Sequence, residues 1–301
     1  MYQPRRVSRS EFVPIRKLRY HVRTWGEPAP GRVPLVMVHG WMDVAASYQF
    51  VVDAFRRDRY VVAPDWRGYG ETDLPLADNY WFPDYLADLD FLIDHYGAGG
   101  AVDLVGHSMG GNVAMMYTGA RPQRIRRLVN LEGFGLARTE PSQAPARYSQ
   151  WLDELHALHA GELALRAYDD LAGVADRLVK TNPRLPADKA RWLAQHWSRQ
   201  AADGRRHILG DPAHKIVNAN LFRVDEQLAL YAGIACPVLV VVAEHNRLQD
   251  WWKGSFTMDE FRQRIAHVKQ LRTATVDKAG HMLHHDQPEV VARLIEDFLD
   301  A

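Results

Sequence analysis

Gly106-His107-Ser108-Met109-Gly110-Gly111 sets a single serine directly after the apolar run Val102 to Val105 and directly before a stretch with helical spacing. A serine at a sharp strand-to-helix turn is held in a strained backbone conformation with its hydroxyl exposed, and only minimal side chains fit where the turn closes on itself. Gly106 and Gly110 meet that demand. The helix that follows directs unpaired N–H groups and its positive end toward the place where an attacked carbonyl would develop negative charge. Ser108 is therefore the candidate nucleophile, and acyl transfer the candidate chemistry.

A serine needs a base to take its proton. Ala279-Gly280-His281 follows the apolar run Leu271 to Val276 and precedes an amphipathic helical stretch, Pro288 to Leu299, with proline acceptably in the first turn. His281 is thereby placed on a loop at the C-terminal end of a strand, where a general base is needed. His39-Gly40-Trp41 ends another strand-like run, Leu35 to Val38, and its glycine lets backbone approach a reacting group closely. The N–H groups of Trp41 and Met109 are the candidate oxyanion hole, each such donor contributing about 2.7 to 4 kcal/mol to the transition state.

The base in turn needs an acid that fixes its tautomer, and replacing that carboxylate by an amide can cost about 10⁴ in turnover. Glu132, just past Leu128 to Leu131, is one candidate; Glu244, Asn246 and Asp250, past Val238 to Val242, are the others. His281, His284, His285 and Asp286 also permit a metal-ligand reading. No H-E-x-x-H motif accompanies them, and no metal or cofactor is expected.

These residues require elements to hold them. The short β-branched runs Leu35 to Val38, Tyr60 to Ala63, Val102 to Val105 and Leu128 to Leu131 read as strands buried on both faces, hence parallel. Helical spacing between them, as over Tyr80 to Tyr96 and Met109 to Ala120, predicts a doubly wound, mostly parallel α/β sheet, and Phe12 to Trp25 suits an antiparallel edge hairpin. From 136 to 232 the strand pattern gives way to helix-period segments, Trp151 to His159, Leu163 to Val179 and Lys189 to Arg199. This predicts a helical lid, 136–232, inserted in a core made of 1–135 and 233–301. Its aromatic residues Trp151, Tyr168, Trp192, Trp197, Phe222 and Tyr231 are expected mostly to form the lid's own core, and His156 and His159 to share one helix face.

At 301 residues, 47% hydrophobic and 25% charged, the chain has the composition of a folded globular protein. Lys+Arg and Asp+Glu both total 37, so no net field recruits nucleic acid or an anionic membrane. The basic N-terminal residues precede no signal-peptide apolar run, and no segment suits a bilayer span. The lone Cys236 forms no internal disulfide and reads as a core residue, which fits a cytoplasmic protein.

His39-Gly40-Trp41, Asp65-Trp66-Arg67-Gly68-Tyr69-Gly70, Gly106-His107-Ser108-Met109-Gly110 and Ala279-Gly280-His281 together resemble the α/β-hydrolase superfamily along nearly the whole chain. In most relatives with this layout, an Asp stands about nine residues after the proline opening the penultimate strand. Counting from Pro237, that slot holds Asn246. A branch resembling the haloalkane dehalogenases carries its acid after the preceding strand instead, and Glu132 fits that position, keeping the order nucleophile, acid, base. Ser108 excludes the alkyl-enzyme chemistry of the dehalogenases and epoxide hydrolases, which use Asp at this turn. The resemblance implies hydrolysis of an ester, thioester or lactone with an apolar part through an acyl-enzyme. Carbon–carbon bond hydrolysis by the same triad is the alternative, and a ligand-binding protein that has lost its acid is a third reading. Asp65 and Arg67 are expected to brace the loop beside the site.

Overall fold

Successive residues of the central strands enter two different cores. Leu35, Met37, Val105, Val129 and Val241 pack on one side, and Val36, Val38, Leu104, Leu128 and Val240 on the other. Side chains alternate across a strand, so a continuous apolar run is the signature of a strand covered on both faces. The computed structural model describes residues 2–301 and shows eight strands in one sheet, the inner ones covered on both faces and the edge strands partly exposed, with a second, smaller sheet elsewhere.

The large sheet is built from β1 (Arg9–Ile15), β2 (Leu18–Trp25), β3 (Leu35–Val38), β4 (Val61–Pro64), β5 (Val102–His107), β6 (Ile125–Leu131), β10 (Val238–Ala243) and β11 (Leu271–Val276). Their order is β1-β2-β4-β3-β5-β6-β10-β11, antiparallel across β1, β2 and β4 and parallel from there on. The small sheet joins β7 (Ala167–Tyr168), β9 (Arg206–Ile208) and β8 (Ser198–Gln200) in antiparallel fashion.

Helices α1 (Gln49–Ala54) and α11 (Pro288–Leu299) cover one face of the large sheet through Val51, Val52, Val291 and Ile295. On the other lie α2 (Phe82–Gly97), α3 (Met109–Ala120), α7 (Val224–Gly233) and α9 (Met258–Ile265), burying residues such as Leu89, Val113, Tyr231 and Phe261. Two single-turn helices, α8 (Leu248–Trp251) and α10 (Leu283–Asp286), lie in the loops after β10 and β11. Because β3, β5, β6, β10 and β11 are parallel, the loops that follow them gather along one edge of the sheet, where α/β proteins bind their ligands.

Between β6 and β10 run α4 (Ala144–His159), α5 (Leu171–Thr181), α6 (Ala187–Trp197), the small sheet and α7. The expected helix over 163–179 starts only at Leu171, because Asp170 caps it by accepting from the Gly173 N–H at 2.8 Å, and Ala167–Tyr168 is strand. Helices α5 and α6 form a third core with Val44, Ala46 and Phe50, in which Trp192 meets Phe50 edge-on at 5.7 Å. Of the aromatic residues expected inside this segment, Tyr168, Trp192 and Trp197 join that core, whereas Tyr231 belongs to the core under the sheet. The last helix, α7, packs against α3 so tightly that a Cβ at Gly119 would collide with the Leu230 carbonyl. Helix α4 buries none of its residues. Its His159 reaches Asp78 at 3.0 Å. Among the described residues no helix is long and apolar enough to cross a membrane.

Candidate active site

Ser108 stands between β5 and α3 with φ +53 and ψ −117, a region that side chains other than glycine avoid. Its N–H donates to the Leu131 carbonyl at 2.9 Å, which ties the turn to the neighbouring strand. A Cβ at Gly106 would overlap the Gly110 carbonyl, and one at Gly110 would overlap the Val38 carbonyl. The first glycine closes the turn. The second lets β3 come up against it.

His281 lies in the loop between β11 and α10, with Nε2 2.9 Å from Ser108 Oγ and Nδ1 3.2 Å from Glu132 Oε2. The loop is held on both sides of the imidazole. Gly280 N–H donates to Asp286 at 2.8 Å, His107 Nε2 donates to the His281 carbonyl at 2.7 Å, and the Trp251 ring meets the imidazole edge-on at 4.5 Å. The His281 side chain is 21% exposed, while that of Glu132 is sealed from water.

Glu132 follows β6 in left-handed backbone, φ +56. Asn130 enforces that turn, its amide donating to the Gly133 carbonyl at 2.8 Å and its Oδ1 accepting from the Gly133 N–H at 2.9 Å. The second carboxylate oxygen, Oε1, accepts from the Ala243 N–H at 2.6 Å. Burial raises the Glu132 carboxyl above its ordinary range, and the bonds to His281 and Ala243 pull it back down.

The other acid candidates lie apart from His281. Asn246 is half-buried and closes its own turn, donating to the Ala243 carbonyl at 3.2 Å. Glu244 is exposed and accepts from the Lys278 N–H at 2.8 Å; Asp250 is exposed beside Arg247.

Gly40 brings the strand end after β3 close to the nucleophile, since a Cβ there would lie 3.1 Å from that of Ser108. The backbone N–H groups of Trp41 and Met109 have no acceptor among the described residues. The Trp41 side chain is half exposed, and its indole donates to the His214 carbonyl at 3.2 Å.

One sequence expectation is corrected in part. Asp65 and Arg67 brace the loop separately and not as a pair: Asp65 bonds His21 at 2.6 Å, the Ala45 N–H at 2.7 Å and the Glu71 N–H of its own loop at 3.0 Å, and Arg67 forks onto Asp88 at 2.6 and 2.8 Å. The alternative metal-ligand reading of His281, His284, His285 and Asp286 finds no support, for the four side chains go to different partners. Asp286 serves Gly280 and Asn182, His285 packs on the Phe50 ring, and His284 turns toward Asp43 and away from His281. Cys236 is buried, which pushes its thiol up to about 11 and removes it as a nucleophile. A cavity of about 270 Å³ borders His21, Arg23 and His196 and not Ser108.

Sequence reasoning missed His107, Asn130 and the Ala243 N–H as supports of the site. An Asn two residues before a Glu-Gly pair at a strand end was a readable sign of a tight turn. The His107 and Ala243 contacts cross between strands and leave no local trace.

The family described as alpha/beta hydrolase fold matches residues 33–288. The chain belongs to the α/β-hydrolase superfamily. A Danio rerio protein named serine hydrolase-like protein is 28% identical, the match covering 98% of this chain and 89% of that one. The cis-3-alkyl-4-alkyloxetan-2-one decarboxylase of Shewanella oneidensis is 33% identical over 94% of this chain and 85% of its own length. Among solved structures, the thioesterase domain from the curacin biosynthetic pathway superposes with a TM-score of 0.81, covering 96% of this chain and 99% of that one at 23% identity, and so shares the α/β-hydrolase fold. The relatives are named mostly as hydrolases, and a hydrolase is what this chain is.

Proposed function

We propose that this α/β-hydrolase cleaves a carboxylic ester, thioester or lactone with an apolar part through an acyl-enzyme on Ser108. The observation that carries the reading is the unbroken run of hydrogen bonds from Ser108 Oγ to His281 Nε2 and from His281 Nδ1 to Glu132. His281 takes the Ser108 proton as the hydroxyl attacks the substrate carbonyl, then returns it to the departing alcohol or thiol. Glu132 holds the Nδ1–H tautomer and stabilises the imidazolium that forms. The Trp41 and Met109 N–H groups receive the oxyanion, which supplies the acceptor they otherwise lack. Water activated by the same imidazole then releases the acyl group.

The exposed indoles of Trp41 and Trp251 flank the oxyanion donors and the base, which favours an apolar substrate part. Within segment 136–232, the part ahead of α7 acts as the lid, α7 itself packing against α3. The 33% identical relative is named for a cyclic ester, an oxetan-2-one, in keeping with this substrate class.

Intact-mass analysis after a fluorophosphonate probe, paired with p-nitrophenyl ester turnover, tests the proposal. One adduct on Ser108 is expected, absent in Ser108→Ala and His281→Ala. Neither adduct nor turnover would leave a ligand-binding protein, and a diketone cleaved in preference to esters would move the chemistry to carbon–carbon bonds.

A further inference from the structure

Behind the proposed triad, three buried side chains converge from three different segments. Asp43 comes from the segment after β3, His107 from the end of β5 and His284 from α10, at 3%, 1% and 0% exposure. Their donor atoms all lie within 4.8 Å of one another. Asp43 Oδ2 and His284 Nε2, 3.8 Å apart, are too distant for a direct hydrogen bond. Asp43 Oδ2, His107 Nδ1 and both His284 ring nitrogens are buried with no hydrogen-bond partner among the described residues. Such groups are nearly always satisfied in folded proteins, so a further species belongs between them.

His107 and Asp43 make bonds of the kind that prepare metal ligands, whereas His284 makes none through either ring nitrogen. His107 commits Nε2 as a donor to the His281 carbonyl at 2.7 Å, which leaves Nδ1 as a bare lone pair. Asp43 spends Oδ1 on the Val44 N–H at 2.8 Å and on the Ser47 hydroxyl, which leaves Oδ2 free. Ligating histidines and carboxylates are oriented by outer hydrogen bonds of this kind. Two imidazole nitrogens and a carboxylate oxygen suit zinc and similar divalent ions. Ligands about 2.1 Å from a tetrahedral ion stand roughly 3.4 Å apart, so the 3.8 Å pair closes on one with a shift of a few tenths of an ångström.

We propose that Asp43, His107 and His284 bind one divalent transition-metal ion of the zinc class. It is a structural ion that touches no substrate. Its place follows from the loops it joins: the strand end bearing Trp41, the turn bearing Ser108 and the segment bearing His281. It clasps together the three parts that the chemistry requires to stay in register, and His107 passes that restraint to the base through the His281 carbonyl.

Metal analysis of the purified full chain, as isolated and after refolding with Co²⁺, tests the site, because ligands this buried would admit an ion most readily during folding. One ion per chain is expected, with the visible ligand-field bands of tetrahedral Co²⁺, and Zn²⁺ should raise the melting temperature. Asp43→Asn and His284→Gln should each lose the ion and the Zn²⁺-dependent rise in melting temperature. Should either variant fail to fold, the wild-type metal content alone decides. A wild-type chain without stoichiometric metal by either route overturns the proposal and assigns the space to a buried water; equal binding by both variants places the ion elsewhere and overturns it too. None of these readouts depends on esterase activity.

Discussion

Strands β6 and β10 are neighbours in the sheet and end at the same edge, each followed within a few residues by a side chain of the type that orients a base. Their turns are built differently. After β6, Asn130 staples the backbone at both sides of Gly133, and Glu132 is held in left-handed conformation, buried, with one oxygen toward His281. After β10, Asn246 faces back on its own turn and Glu244 stands in solvent. What β10 sends across is a backbone N–H, from Ala243 to the other Glu132 oxygen. The difference shows how a sheet can place an orienting carboxylate at either of two adjacent strand ends: the rigid, dry turn supplies the charge, and the other turn anchors it. A carboxylate at the rim, such as Glu244, would be screened by water and would orient an imidazole weakly.

The comparison breaks most visibly at Glu132 itself. Glu132→Gln keeps the shape and removes the charge, and kcat against a p-nitrophenyl ester should fall by about 10⁴. Removing the staple comes next. Asn130→Ala leaves the buried Gly133 N–H and carbonyl without partners, a loss of about 1 to 3 kcal/mol in stability read by denaturant unfolding, with a drop in kcat larger than any change in KM as Glu132 loses its place. The smallest effect belongs to the opposite turn. Asn246→Ala removes two long contacts, one to the Ala243 carbonyl and one from the Leu248 N–H, and steady-state kinetics should stay within about 2-fold of wild type, because the substitution opens no core cavity and breaks no buried network.

The same contrast marks what a linear pattern carries. Ser108 and Glu132 follow buried parallel strands and His281 a partly exposed parallel edge strand, so the strand pattern brings them to one edge, and the glycines of the nucleophile turn are demanded by local geometry. The partners that brace them come from other strands. His107 meets the His281 carbonyl across 174 positions, and Ala243 meets Glu132 across 111, separations at which no local spacing speaks. Asp65 and Arg67 read as a pair because they are two apart, yet His21 and Asp88 claim them once the hairpin and α2 pack in. The small sheet escaped detection because strands of two or three residues are too short to show alternation.

The most direct test of the Ser108–His281–Glu132 arrangement is the proton NMR signal of the His281 Nδ1–H, which needs no substrate. Wild type should show a downfield imidazole resonance that Asn246→Ala retains, His281→Ala abolishes and Glu132→Gln loses or moves upfield. A resonance that survives unchanged in Glu132→Gln, or one that disappears in Asn246→Ala, would contradict the account.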